Sequence, residues 1–178
     1  MQENYLISIL GRQQVDGETG EVQVTTLGSY VKKGKNRYIT YKEYDSEVNG
    51  KPVTSVLKVE GNDKVTLMRG AGSTRLVLEN GKRHLCQYDT GFGTMTIGVF
   101  TQSLLNELHE KGGVLKASYT LDVNANLSSY NEIAISVKET GLKQNEQEEQ
   151  ALKTKKPIRL KARIRQAPGE QNEEPAGQ

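Results

Sequence analysis

Apolar and polar residues alternate with a period of two along most of the chain from Tyr5 to Glu139. This period puts successive side chains on opposite faces of an extended strand, so it predicts β-strands. Glycine- and asparagine-containing turn sequences interrupt the alternation at short intervals, which is typical of an antiparallel meander. The predicted strands are 4–13, 21–31, 37–45, 53–60, 64–69, 74–79, 84–89, 93–101, 114–123 and 127–139.

The segment SLLNELHEKGG departs from this period. Ser103 can cap a helix, Leu104, Leu105 and Leu108 recur at helical spacing, and the pair Gly112-Gly113 can end the helix. The sequence therefore predicts one short helix between the eighth and ninth strands.

A meander of this length would expose two long edges if it stayed an open sheet. Closure into a barrel removes both edges, because every strand then has two neighbours. Asn49-Gly50 and Asn80-Gly81 favour hairpins, since both residue types tolerate the positive φ of a type I′ turn. The sequence predicts an all-β fold, an antiparallel meander closed into a barrel of about eight to ten strands with one short helix.

Composition predicts one domain with an extension. A chain of 178 residues that is 34% hydrophobic can form one core. After Gly141 the sequence becomes polar and then ends in APGEQNEEPAGQ, a composition typical of disordered segments. We therefore expect a barrel over residues 1–140 and a charged, largely disordered extension over residues 141–178.

Charge and cysteine content bear on partners and location. Residues 1–140 carry equal numbers of basic and acidic side chains, whereas residues 141–178 carry eight basic and six acidic ones and account for the net charge of +2. The single Cys86 cannot form an internal disulfide, and the N-terminus lacks the basic segment of a signal peptide. No apolar stretch approaches the roughly 20 residues that cross a bilayer. We expect a cytoplasmic protein without a membrane partner.

Several polar residues fall on faces that are otherwise apolar. Tyr41 and Glu43 share their parity with Ile39, and Arg69 shares its parity with two apolar residues of the fifth strand. In a closed barrel these faces would point inward. A buried arginine needs a partner because an unpaired buried charge costs several kcal/mol, and Glu43 is the natural candidate.

These inward polar groups have two interpretations that can coexist. They can form an internal network that only sets the register of the strands. They can also line a lumen that recognises a small molecule, in which Arg69 would hold an acidic group or pair with Glu43. The candidate lumen residues are Tyr41, Glu43, Arg69, Tyr88, Tyr119 and Asn131.

The sequence also resembles a known family. The string KVTLMRGAGSTRLVLENGKRHLCQYDTGFGTMTIGVFT, followed by GGVLKASYTLDVN and NEIAISVKE, is similar to the YwiB-like family of bacterial proteins of unknown function. The resemblance covers nearly all of residues 4–139 and implies a calycin-type barrel similar to lipocalins. It implies no activity. The chain departs from the family pattern at Leu78, Gly91 and Phe92, and the tail after Gly141 lies outside the resemblance.

Candidate catalytic groups are few. His84 and Cys86 lie two residues apart on one predicted strand, a separation of nearly 7 Å, too long for a nucleophile and base pair. Their row is better interpreted as a semi-buried face of the sheet, with Tyr88 as a candidate lumen contact. Two histidines and one cysteine do not make a structural zinc set, and the GAGS turn lacks the other parts of a phosphate loop. We expect no enzymatic activity, no cofactor and no metal.

The tail contains a second candidate site. Residues 153–165, KTKKPIRLKARIR, carry seven cations and no acid, and apolar residues alternate with cations from Ile158 onward. The segment could bind RNA or DNA phosphates, add as a strand to a protein partner, or remain a solvated tail. The nucleic-acid candidates are Lys153, Lys155, Lys156, Arg159, Lys161, Arg163 and Arg165.

Three functional hypotheses follow in order. The first is a non-enzymatic cytoplasmic barrel that binds a small amphipathic or anionic ligand in its lumen. The alternative is an adaptor that associates with nucleic acid or ribonucleoprotein through the basic tail. An enzyme within the barrel comes third, because no spacing of carboxylates or of a base and nucleophile supports it.

Overall fold

A computed structural model describes residues 2–44 and 51–141. These residues form ten strands and no helix, and none of their segments is a helix long and apolar enough to cross a membrane. The strands are β1 (Tyr5–Val15), β2 (Glu18–Lys33), β3 (Asn36–Tyr44), β4 (Pro52–Glu60), β5 (Lys64–Arg69), β6 (Thr74–Glu79), β7 (Arg83–Asp89), β8 (Thr94–His109), β9 (Gly112–Val123) and β10 (Asn126–Glu139).

The strands close into a barrel in the order β1-β10-β9-β8-β7-β6-β5-β4-β3-β2. Every pairing between named strands is antiparallel, and β1 pairs with both β2 and β10. This arrangement confirms the predicted all-β meander and its closure. The predicted extension over residues 141–178 lies, apart from Gly141, outside the described residues.

The predicted short helix is wrong. Residues 103–109 continue β8 and pair with β9, with Leu104 opposite Ala117 and Leu108 opposite Gly113. Leucines four residues apart fit a strand face as well as a helix face, because four is also a multiple of two. A register shift between Thr101 and Ser103 re-phases the strand, so that the side chain of Leu108 is buried.

The core fills the inside of the barrel. Side chains of one parity from each strand point inward, and the buried apolar residues form one cluster. Its fully buried members with less than 2% exposure include Ile7, Ile39, Ile135, Val59, Val65, Val99 and Val137. The barrel is therefore a packed core around which the ten strands wrap.

The two ends of the barrel differ. We call the end with the β2–β3, β4–β5, β6–β7 and β8–β9 turns the base, and the opposite end the mouth. At the base the Tyr30 hydroxyl donates to the carbonyl oxygen of His109 at 2.7 Å, and the Asn106 side chain donates to the carbonyl of Gly61 at 2.9 Å. These bonds cross the base and tie the end of β8 to β2 and to the β4–β5 turn.

The seam between β6 and β7 has the least regular pairing. Only Arg75 and Gln87 are registered partners there. Side chains bridge the remainder: the Val77 amide donates to Cys86 Sγ at 3.3 Å, and the Asp89 amide donates to Thr74 Oγ1 at 3.1 Å.

The hairpin expected at Asn80-Gly81 does join β6 to β7, but not through a type I′ turn. Gly81 has a φ of 72° whereas Asn80 does not have a positive φ, and the Lys82 amide donates to the Glu79 carbonyl at 3.0 Å. A type I′ turn requires positive φ at both central residues. The other expected hairpin, at Asn49-Gly50, lies outside the described residues.

Gly28 provides a test of how closely β2 packs in the barrel. A Cβ at this position would collide with the carbonyl oxygen of Thr40 and would lie 3.1 Å from Ile7 Cγ1. We expect Gly28→Ala to lower the free energy of unfolding by about 2 kcal/mol, because backbone and buried core atoms must both move. Urea denaturation measures the change.

Gly11→Ala is the matched control for this prediction, because a Cβ on Gly11 would meet nothing closer than the Val22 carbonyl at 4.0 Å. Its free energy of unfolding should change by less than about 1 kcal/mol. Equal destabilisation by the two substitutions would show that close packing at Gly28 is not the cause.

Candidate functional site

A polar cluster lies on the inner face near the mouth, where β3, β4 and β5 are neighbours. Tyr41 pairs in register with Ser55, and Ser55 pairs with Arg69, so these three residues form one row across the strands. Glu43 lies two residues further along β3 on the same face. We call Tyr41, Glu43, Ser55 and Arg69 the mouth cluster.

The carboxylate of Glu43 organises the mouth cluster. Arg69 Nε donates to Glu43 Oε2 at 3.0 Å, and Ser55 Oγ donates to Glu43 Oε1 at 2.9 Å. The expected ion pair between Glu43 and Arg69 is thus present. Ser55 is fully buried, whereas the Arg69 side chain keeps 41% of its surface exposed and Glu43 keeps 27%. The cluster therefore joins the buried interior to solvent.

The Tyr41 hydroxyl remains protonated in this setting. Burial raises its pKa above the ordinary range for tyrosine, and the negative charge of Glu43 raises it further. A neutral phenol can donate a hydrogen bond and accept one. Tyr41 therefore contributes a neutral donor beside a charged pair.

Two other candidate residues lie together on the far wall. Tyr119 on β9 and Asn131 on β10 are registered neighbours, and the amide of Asn131 donates to Ser129 Oγ at 2.9 Å. Burial, together with a smaller contribution from Tyr88 on β7, raises the pKa of Tyr119 to about 12. Tyr88, Tyr119 and Asn131 thus occupy β7, β9 and β10, whereas the mouth cluster occupies β3 to β5.

An apolar cavity lies inside the barrel directly below these polar residues. Its lining includes Leu57, Leu67, Ala117 and Ile133, each two residues closer to the base than Ser55, Arg69, Tyr119 and Asn131 respectively. Tyr119 itself also lines this cavity, and the mouth cluster lies just above it.

The cavity is small. Its volume is about 20 Å³, which is room for about one water molecule. Pockets for drug-sized ligands have volumes of roughly 300–1,000 Å³. Side chains therefore fill most of the middle of the barrel, and a larger ligand would have to bind at the mouth or displace them.

The sequence-based selection missed several inward polar residues, Ser55 and Thr101 among them. Ser55 shares its parity with Val53, Leu57 and Val59, so the same face argument could have identified it. Thr101 is fully buried, and within the described part of the chain its Oγ1 has no hydrogen-bond partner. Thr101 shares its parity with Ile97 and Val99, so the same face argument could have identified it as well.

His84 and Cys86 do not form a catalytic pair. His84 Nε2 lies 2.8 Å from Glu79 Oε2, whereas Cys86 Sγ accepts from the amide of Val77 and lies 3.9 Å from the carbonyl oxygen of His84. Burial raises the pKa of the Cys86 thiol, so the nucleophilic thiolate is disfavoured. The row is a partly buried sheet face, as the sequence predicts.

Other candidate chemistry can be placed as follows. Residues 2–44 and 51–141 contain no group of three or more histidine, cysteine, aspartate or glutamate side chains that could hold a metal ion. The nucleic-acid candidates of the tail lie outside the described residues; they are Lys153, Lys155, Lys156, Arg159, Lys161, Arg163 and Arg165.

The burial of Cys86 predicts how its thiol reacts. We expect a disulfide reagent such as DTNB to modify Cys86 in the native protein more slowly than in the urea-unfolded protein, by roughly an order of magnitude or more. Because its pKa is raised, the native rate should keep rising above the ordinary thiol pKa of about 8.5. Absorbance of the released thiolate measures both rates. Equal rates for the native and unfolded chains would contradict the buried position.

Comparisons with known proteins agree with this architecture. The structure resembles the crystal structure of the ywiB protein from Bacillus subtilis, with a TM-score of 0.66 and 21% sequence identity over 77% of this chain and 92% of that chain. At this identity the likeness shows the fold. No curated protein sequence matches the chain. A family model described as a domain of unknown function, DUF1934, matches residues 7–135. The resemblance to the YwiB-like family is thereby confirmed, and the chain belongs to the DUF1934 family.

Proposed function

We propose that this protein is a non-enzymatic barrel that binds a small amphipathic acid at its mouth. The observation that carries the proposal is Arg69, whose guanidinium is held in place by Glu43 and remains 41% exposed beside an apolar cavity. The acid group of the ligand would bind Arg69, and its apolar part would enter the barrel.

Arg69 has hydrogen-bonding capacity beyond its contact with Glu43. A guanidinium carries five N–H donors in a rigid planar arrangement, and Nε donates to Glu43. Ser55 holds the other oxygen of the same carboxylate, so Glu43 fixes the plane of the guanidinium. The terminal nitrogens can then form a bidentate pair with a carboxylate or phosphate.

The apolar part of the site would form by displacement of side chains. The cavity below Arg69 is lined mainly by leucine and isoleucine, and Met95 packs against the same core near the mouth. Methionine adapts its shape readily because it is unbranched. Tyr41 and Tyr119 would contribute neutral hydroxyls near the acid group.

Two features support a binding role without catalysis. The Cys86 thiol contacts backbone groups, and His84 is held by Glu79. Neither side chain is therefore poised to attack a substrate. A single buried cysteine fits a reducing cytoplasm, which we retain as part of the proposal.

Substitution of Arg69 tests the proposal directly. With decanoate as the probe, we expect Arg69→Gln to weaken binding by roughly tenfold or more, because a charge-assisted bond contributes about 1.5–3 kcal/mol. Isothermal titration calorimetry measures the dissociation constant. Decanol in place of decanoate should bind the wild-type and variant proteins with similar affinity.

Arg12→Gln is the matched control. Arg12 Nε also lies 3.0 Å from a glutamate oxygen, that of Glu21, but both side chains are more than half exposed on the barrel wall. This substitution should leave the affinity for decanoate unchanged. Absence of decanoate binding to the wild-type protein, or equal loss in the two variants, would reject Arg69 as the anchor of an acid.

A second candidate function is association with nucleic acid through the tail. Residues 153–165 carry seven cations and no acid, a density that can neutralise several phosphates. Glutamates lie on both sides of the segment but not within it, and the seven cations are concentrated in one short stretch. Such binding would depend on salt and not on base sequence.

Replacement of the seven tail cations by glutamine in the full-length chain tests this second candidate. We expect the variant to bind a single-stranded RNA more weakly, and its log–log salt slope to fall by up to about five for seven lost contacts. Gel-shift titrations at several salt concentrations measure both quantities. Unchanged binding would exclude the tail as the contact.

A further inference from the structure

The β2–β3 hairpin carries an unbalanced positive charge. Residues 22–42 contain five basic side chains and no acidic one. Four of the five lie at or near the tip of the hairpin, and the lysines among them are exposed. These four are Lys32, Lys33, Lys35 and Arg37.

The four tip cations differ from many others on the barrel in their ion pairing. Lys42, at the far end of β3, pairs with Glu3, and Arg83 pairs with Asp122. Within residues 2–44 and 51–141, none of the four tip cations forms an ion pair with a carboxylate. Their charge is therefore available to an external anion.

Arg37 adds a second observation. Its Nε is buried and has no hydrogen-bond partner among the described residues. Its guanidinium lies close enough to Tyr30 to lower the pKa of that hydroxyl, against the larger opposing effect of burial. An unsatisfied charged donor at the base is costly unless a ligand or water completes it.

The positive charge continues across the neighbouring strands. Tyr38 on β3 pairs in register with Lys58 on β4, and Lys33 Nζ lies 5.8 Å from the centre of the Tyr38 ring. Arg75 on β6 lies close enough to Lys58 for their charges to interact. Lys33, Lys58, Lys64 and Arg75 lie on the outer wall, whereas Lys32 and Arg37 share the inward parity of Tyr30 and Ile39 and lie at the rim of the base. We call these six residues, with Lys35 at the tip of the hairpin, the basic face.

Few acids oppose the basic face. Glu60 lies on β4 beside it, but this carboxylate is shared by Lys58 at 2.8 Å and Lys64 at 3.9 Å. Asp63 lies in the β4–β5 turn. Glu79 on β6 pairs in register with Lys64, and its carboxylate contacts Lys82 and His84. Seven cations against these three carboxylates leave an excess of positive charge on this side of the barrel.

The width of the basic face suits an extended polyanion. Five adjacent strands, β2 to β6, contribute to it, and a spacing of about 4.8 Å between strands gives a width of about 19 Å. Phosphates along one strand of a double helix are spaced by about 3.4 Å along its axis, a distance much shorter than this width. Several consecutive phosphates can therefore contact the face at once.

We propose that the basic face binds the phosphate backbone of single-stranded nucleic acid, without preference for sequence. Tyr38 offers one aromatic ring for a base, whereas the lysines track the backbone. Gly141 lies toward the base, as does the tip of the β2–β3 hairpin, because Glu139 pairs with Tyr5 and Tyr5 pairs with Gly28. This proposal does not depend on a ligand at the mouth, and it differs from binding by the tail.

The test uses full-length protein and a fluorescein-labelled 20-nucleotide polyuridine. Fluorescence anisotropy gives the dissociation constant at salt concentrations from about 50 to 200 mM, the range over which phosphate contacts are strongly screened. We expect the triple variant Lys32→Ser, Lys33→Ser, Lys35→Ser to bind at least tenfold more weakly at the lowest salt. Its log–log salt slope should fall by about two, since each lost contact contributes about 0.7.

The matched control removes the same charge elsewhere. Lys51, Lys116 and Lys138 are exposed and lie outside the basic face. Their replacement by serine should leave affinity and salt slope close to the wild-type values. If both triple variants weakened RNA binding equally, net charge alone would explain the effect and the proposal would be overturned. Unchanged RNA binding by the hairpin variant would also overturn it.

Two further measurements separate the remaining outcomes. The wild-type protein is acetylated with and without RNA, and mass spectrometry measures the modification of each lysine. RNA should protect Lys32, Lys33 and Lys35 more than Lys116. This measurement uses no variant, so it does not depend on whether a variant folds. When the seven tail cations are replaced by glutamine, the three hairpin substitutions should still weaken RNA binding. Loss of all RNA binding in the tail variant alone, or binding of phosphatidylserine vesicles without binding of RNA, would overturn the proposal.

Discussion

Closure of the sheet is the constraint on which the rest of the structure depends. β1 and β10 pair over ten registered residue pairs, which join the two ends of the barrel sequence. Once this pairing forms, the parity of each strand divides its residues between an enclosed core and an outer wall. The same pairing therefore places Ile7 and Ile135 inside and leaves their sequence neighbours outside.

A filled barrel limits where chemistry can occur. Branched side chains occupy the middle, and the cavity among them measures about 20 Å³. Polar inward groups gather near the mouth, where Glu43 and Arg69 satisfy each other and keep partial contact with water. A charged pair deeper in the core would lose more hydration than its attraction restores. The outer wall is where unpaired positive charge can accumulate without this desolvation cost.

Local pattern and long-range pairing competed at two places. In β8, the leucines of residues 104–108 fit both a helix and a strand, and pairing with β9 decided for the strand. In the β6–β7 turn, Asn80 takes part in a bridge to Thr101, and the turn adopts a different form from the one its Asn-Gly sequence favours. At both places contacts distant in sequence outweighed a local preference of about 1 kcal/mol or less.

The amino-acid sequence by itself determined the all-β class, the number of strands and the inward parity of Tyr41, Glu43 and Arg69, because a period of two is a local property of the chain. Only the tertiary structure decided that Ser55 completes the contacts of Glu43, that β8 shifts its register between Thr101 and Ser103, and that side chains fill the lumen. It also brought Lys33, Lys58 and Arg75 onto one face, since the register of neighbouring strands depends on closure of the whole barrel.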